Sequence, residues 1–243
     1  MSAASPVVLI LAWELVTRLG YVDTRFFPAP SEILQTAQRL LTDGTLARQV
    51  GISVQRVVIG FVIGAVPAIL IGLIMGLVPI VRAALRPLVN STYPIPKSAL
   101  LPLFLLLFGL GEESKWAIIA VGTFYLVLIN TMTGVLNIDP IYFDVAKSVG
   151  ASSFLKLSVI AFPGSLPLIF AGLKLGMGVS LIVLVYAESV GTTGGIGYLI
   201  WNSWEVFQVP RMYLGIMTTA VLGLLAASAL ESLERLLVPW KQR

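Results

Sequence analysis

Three stretches of this chain carry no charged residue: 57–81, 116–136 and 212–230, of 25, 21 and 19 residues. A helix rises about 1.5 Å per residue, so each can cross a hydrocarbon core about 30 Å thick. In that core every backbone N–H and C=O must be paired within a helix or around a closed barrel. Barrel strands alternate apolar and polar positions over about ten residues, and no such alternation is present. The chain is therefore expected to be all-α and polytopic in the membrane. Its charge content agrees, at 12% of residues against about 25% in soluble domains.

Further spans are read at 6–21, 98–111 and 166–187, for about six in all. The segment 98–111 has only 14 uncharged residues, and it counts as crossing because a polar turn at 109–115 leads into the next clear helix. Nothing ahead of the first apolar run marks a removed signal peptide, so that segment is expected to stay as a membrane helix. Within it Glu14 and Arg18 sit four apart and can pair on one face. Pro28 and Pro30 then break the chain, and Ser31 is placed to cap a new helix. Ile33, Leu34, Ala37, Leu40 and Leu41 share one face, predicting an amphipathic interfacial segment over about 31–55. In the span after it, Gly60 with Gly64 and Gly72 with Gly76 are small-xxx-small pairs suited to close helix packing.

Six spans place both termini on one side of the membrane. Eight loop cations share that side: Arg82, Arg86, Lys97, Lys147, Lys156, Arg235, Lys241 and Arg243. Six lie opposite: Arg25, Arg39, Arg48, Arg56, Lys115 and Arg211. The excess, though thin, favours cytoplasmic termini.

Composition excludes several chemistries. With no Cys and no His, thiol catalysis, imidazole general bases and the metal sites built on either are ruled out. No Gly-x-x-x-x-Gly-Lys-Ser/Thr phosphate loop occurs, and the glycine-rich run 191–197 lacks the lysine. Any nucleotide must be held by another polypeptide, and no cofactor is expected on this chain. A net charge of +4 suits cation-bearing cytoplasmic loops and does not indicate nucleic-acid binding.

The most informative segment is a polar island at 139–163 between two apolar runs. Asp139-Pro140 is an N-cap followed by proline at the first helical position. Ile141, Val145 and Val149 recur every four residues as an apolar stripe, and Gly150 supplies the left-handed conformation that ends a helix. Ser152 or Ser153 can cap a second short helix, limited by Pro163. Such a bent pair, with Ala146 small enough for close approach, can seat in a groove of a partner, or it can simply join two spans. Helical pattern alone leaves both readings standing.

The order acidic-x-Ala, three residues, Gly, nine residues, Ile-x-x-Pro resembles the EAA loop of permease subunits of bacterial ABC importers. It reads here as Asp144-Val145-Ala146, Gly150, Ile160 and Pro163, with Asp144 in place of Glu, Val145 of Ala and Phe162 of Leu. Pro28-Ala29-Pro30-Ser31-Glu32-Ile33, Pro102-Leu103-Phe104 with Phe108-Gly109-Leu110-Gly111-Glu112, Ala187-Glu188 and Gly195-Ile196-Gly197-Tyr198 are similar to the nitrate/sulfonate/taurine/bicarbonate branch. The resemblance implies one permease domain over 1–243 with a type I importer fold in the bacterial inner membrane. It implies a homodimer, two ATPase subunits carrying ATP and magnesium, and a periplasmic or lipid-anchored solute-binding protein. The first helix of the island would be the coupling helix, with Asp144, Val145, Ala146, Lys147, Gly150, Ile160 and Pro163 at the ATPase contact.

Polar groups inside spans are candidates for the path of a small anion. Lys174 could attract it, or pair or snorkel instead. Asn130, Thr131 and Thr133 form a polar patch that either lines the path or bonds between helices. Ser180 and Tyr186 are comparable, and Glu188 ends its span where a structural hydrogen bond is expected. Two rival readings, an ion-coupled secondary transporter and a membrane-embedded enzyme, lack mid-span carboxylates and a positioned serine motif respectively.

Overall fold

A computed structural model describes residues 4–240 of the chain, and these contain helices and no strand. In chain order the helices are α1 (Ala4–Arg18), α2 (Pro30–Thr42), α3 (Thr45–Leu77), α4 (Pro79–Thr92), α5 (Leu101–Phe108) and α6 (Glu112–Leu136). Then follow α7 (Pro140–Ser148), α8 (Ser153–Leu155), α9 (Phe162–Glu188), α10 (Ile196–Glu205) and α11 (Val209–Leu237). A 3₁₀ turn, Lys97–Leu100, precedes α5, and a π-turn, Lys156–Ala161, joins α8 to α9.

Four helical stretches are long and apolar enough to cross a membrane: Thr45–Leu77, Glu112–Leu136, Ser153–Glu188 and Val209–Leu237. A fifth arises if α4 and the 97–108 helix, bent by 90° at their break, count as one broken span. The segment 98–111 is thus half of a bent pair, because Pro94 and Pro96 remove the N–H groups that would carry α4 onward. The first apolar segment forms the 15-residue α1, about 22 Å long and short of the hydrocarbon thickness. The fifth expected span begins earlier than residue 166. Its helix starts at Ser153 and passes through Pro163, because the wide π-turn moves the carbonyl that a proline ring would strike; the Phe162 N–H bonds Leu157 O, five residues back.

The described residues divide into two compact units. One comprises the chain up to residue 55 with 188–221. In it the inner face of α2, Ile33 and Leu40, packs with Leu46, Leu199 and Leu214, flanked by Trp13 and Tyr213. Leu34 and Leu41, from the same stripe, stay exposed. Ser31 is not a cap: α2 starts from Ala29 without a side-chain cap. Its first N–H, that of Ser31, is met from α1 instead: Glu14 accepts from Ser31 N (3.0 Å) and from Ser31 Oγ (2.8 Å) while pairing with Arg18. The turn into α3 is closed by Asp43, whose carboxylate accepts from Thr45 N at 2.8 Å. That bond lowers the Asp43 carboxyl below its ordinary range.

The second unit comprises 56–187 with the chain from 222 onward. Its organising contact is α3 against α6, and four glycines set the approach. A Cβ on Gly60 would lie 2.7 Å from Ile119 Cβ, on Gly64 2.3 Å from Ala120 O, on Gly72 2.7 Å from Thr131 Cβ, and on Gly76 2.4 Å from Val135 Cβ. The small-xxx-small pairs therefore do the packing expected of them. On its other side α6 meets α9, where a Cβ on Gly172 would lie 2.8 Å from Asn130 Cβ. Arg56 and Lys115 are buried rather than loop cations. Arg56 makes a two-point pair with Glu112 (2.5 and 2.6 Å), and Lys115 donates to Leu110 O at 2.5 Å.

Because the obstacle to Gly64 is backbone, a Gly64→Ala protein should be destabilised by about 1–3 kcal/mol, the usual cost of overpacking. A thermal unfolding scan in detergent should show a lowered midpoint, and Gly51→Ala, in open space, should not.

Candidate functional site

The island 139–163 is built by local capping chemistry. Asp139 accepts from Ile141 N at 3.0 Å, and Pro140 occupies the first turn of α7. At the other end Gly150 has φ +69°. Ala151 N bonds Ala146 O (2.8 Å) and Gly150 N bonds Lys147 O (3.1 Å), the paired closure of a Schellman motif. Ser152 then caps α8, accepting from Leu155 N at 3.2 Å. Pro163 does not end this second helix, which runs on into α9.

The apolar stripe of α7 faces outward: Ile141 and Val145 are each 59% exposed and Val149 is 74% exposed. Together with Leu155, Val159 and Ile160 they line an open groove of about 510 Å³. Ala146 is turned inward, at 7% exposure, so its small size serves packing beneath the groove rather than approach from outside. Asp144 and Lys147 are exposed on another flank, where with Arg82 and Lys156 they line a charged cleft of about 430 Å³. Pro163 is half-buried at the base of α9.

The polar groups suggested for a path are dispersed. Lys174 is paired with the buried Glu234 of α11 at 2.5 Å. Asn130 donates to Leu126 O at 2.8 Å on its own helix. Thr131 is fully buried under Gly72, its hydroxyl without a hydrogen-bond partner, and Thr133 is half-buried. Ser180 shares a 2.6 Å hydrogen bond with Thr123, fastening α9 to α6. Tyr186 is exposed.

Glu188 is fully buried and serves the start of α10. Its carboxylate accepts from Ser53 Oγ at 2.8 Å and from Gly197 N at 2.8 Å; Ser53 Oγ accepts from Ile196 N at 2.7 Å, and Gln49 from Gly195 N at 2.6 Å. Three successive N–H groups at a helix N-terminus are thereby satisfied, with the negative charge where the helix dipole favours it. A Cβ on Gly195, which has φ +112°, would fall 2.2 Å from the Glu188 carboxyl carbon. Sequence reading did not find Gln49 and Ser53, which lie about 140 residues from their partners.

It also placed Lys97 in a loop. Lys97 instead lies at the break between α4 and α5, against the middle of α6, in a cleft of about 360 Å³ shared with Tyr93 and Tyr125. The available signal was a lysine directly after Pro94-x-Pro96 in an apolar segment.

Residues 68–239 match the family described as binding-protein-dependent transport system inner membrane component. This chain belongs to that family. Taurine transport system permease protein TauC of Escherichia coli is 32% identical over 99% of this chain and 89% of its own length. A Bacillus subtilis protein bearing the name aliphatic sulfonates transport permease SsuC is 34% identical over 97% of this chain and 86% of its own. Nitrate import permease protein NrtB of Synechocystis is 28% identical over 99% and 90%. The chain is thus a multi-pass membrane permease of the ABC transporter class. In this permease the motif pieces Ala187-Glu188 and Gly195-Ile196-Gly197 are one structural device, since Gly195 leaves room for the Glu188 carboxylate and Gly197 N donates to it.

Gly195→Ala should therefore cost more than Gly150→Ala. At Gly150 a Cβ meets nothing within 4 Å, leaving only the left-handed backbone penalty of about 1–2 kcal/mol. Comparing the two thermal midpoints checks this, with the Gly195 variant expected to unfold first.

Proposed function

We propose that this permease forms the membrane path of an ATP-driven importer for a small oxyanion, sulfonate or nitrate in type. A homodimer of the chain would carry two ATPase subunits on its cytoplasmic face and receive solute from a binding protein outside. ATP and magnesium would reside on the ATPase, and both termini of the permease would be cytoplasmic. The names of the relatives support the substrate class, which selectivity in the binding protein would narrow further.

The observation that carries the coupling role is the outward apolar face of α7. A soluble loop gains nothing by exposing Ile141, Val145 and Val149 together, whereas a helix seated in a groove of a partner uses such a stripe as its anchor. The helix is held for that use by its Asp139 cap and its Gly150 closure. Asp144, Lys147 and the nearby Arg82 and Lys156 would form a polar rim to the contact. The base of α9, with Ile160 and Pro163, would transmit the displacement to the span.

A pull-down of the full chain from its native membrane tests this reading. Tagged wild-type permease should retain an ATPase, and Val149→Asp, which buries an unpaired charge in the seat, should retain at least about tenfold less. Undiminished ATPase recovery with Val149→Asp, or solute uptake that persists without any ATPase, contradicts it.

A further inference from the structure

Lys97 is the strongest unassigned group in the molecule. The cleft it lines is also lined by Gly122, Tyr125 and Leu126, which flank Phe124, the midpoint of the 25-residue α6. At about 1.5 Å per residue, the midpoint lies about 18 Å from either end of that span. A lysine stem reaches only about 6 Å, so snorkelling cannot bring this ammonium to the interface. An ionisable group at that depth marks a functional site unless it is neutralised by a partner.

Among the described residues Lys97 makes no ion pair, and no carboxylate lines the cleft. Its Nζ donates to Tyr93 O at 2.8 Å and to Thr92 O at 3.3 Å, carbonyls at the end of α4. It also sits over the Tyr125 ring at 4.2 Å and the Tyr93 ring at 5.7 Å. These contacts hold the ammonium in place without cancelling its charge. An ammonium has three N–H donors, and two are used by the carbonyls. Two tyrosines of the cleft wall bring hydroxyl donors, and Ile95 and Val179 add an apolar side.

We propose that Lys97, with Tyr93 and Tyr125, forms an oxyanion-binding station half-way through the membrane, sized for nitrate or a short alkylsulfonate. This rests on the importer reading and names its intramembrane recognition element. A single fixed cation in a low-dielectric setting selects for negative charge. The aromatic and apolar walls accept the small organic group of a sulfonate. Lys97 would touch the solute, and the broken α4–α5 pair would exist to place it there.

The test is saturation-transfer NMR on the full-length permease in lipid nanodiscs, with methanesulfonate as probe and nitrate as competitor. Wild type should saturate the methyl signal, and nitrate should suppress it. Lys97→Met should weaken methanesulfonate binding about tenfold or more, the scale of one charged hydrogen bond. Lys97→Arg should keep most of it, which separates lost charge from lost folding. Tyr125→Phe should give an intermediate loss. Binding by Lys97→Met equal to wild type overturns the station, as does a wild type that shows no saturation. Retention of the ATPase by both proteins would show that the importer reading stands even where the station fails.

Discussion

The Gly150 bend is the joint on which the rest depends. Its two hydrogen bonds, from Ala151 to Ala146 and from Gly150 to Lys147, fold the end of α7 back on itself. Two residues later Ser152 starts the 36-residue helix that ends at Glu188. A short, outward-facing helix is therefore fastened directly to a rod about 54 Å long. A flexible connection there would absorb any displacement of α7 instead of passing it along the span.

The rod acts on a tightly packed neighbour. Helix α6 is held between α3 and α9 at glycine contacts so close that α-carbons nearly touch side chains and backbone. Such interfaces have no room for gradual deformation, so helices of this kind shift as bodies. Polar groups in the spans reinforce this. The Thr123–Ser180 bond and the Lys174–Glu234 pair join helices, and Glu188 spends its charge on the α10 terminus. Among the described residues the buried carboxylates of Glu188 and Glu234 both have partners.

Local chemistry was legible in the sequence and long-range chemistry was not. Asp139 and Gly150 announce themselves because caps depend on neighbours a few residues away, and the Gly60 to Gly76 series does so by its four-residue spacing, although its partners lie on α6. Pro163 misled, since a proline reads as a terminator and the π-turn that accommodates it leaves no mark in composition. Ser31 read as a cap, although the carboxylate that serves α2 comes from Glu14, seventeen residues earlier. Lys97, Arg56 and Lys115 read as loop cations because a count along the chain assigns depth by position. Among the candidate path residues, Lys174 and Ser180 have partners on other helices, where spacing gives no guidance.

The rigidity of the joint can be measured directly, because the chain has no cysteine to interfere with labelling. Spin labels at Val149→Cys and Ile182→Cys, both exposed, report the distance from the bend to the far part of α9. Double electron–electron resonance in nanodiscs should give one narrow distance distribution, unchanged by temperature over the range where the protein is folded. A broad or two-peaked distribution would place a hinge at the bend or the π-turn, and the account of α7 as a lever on α9 would be wrong.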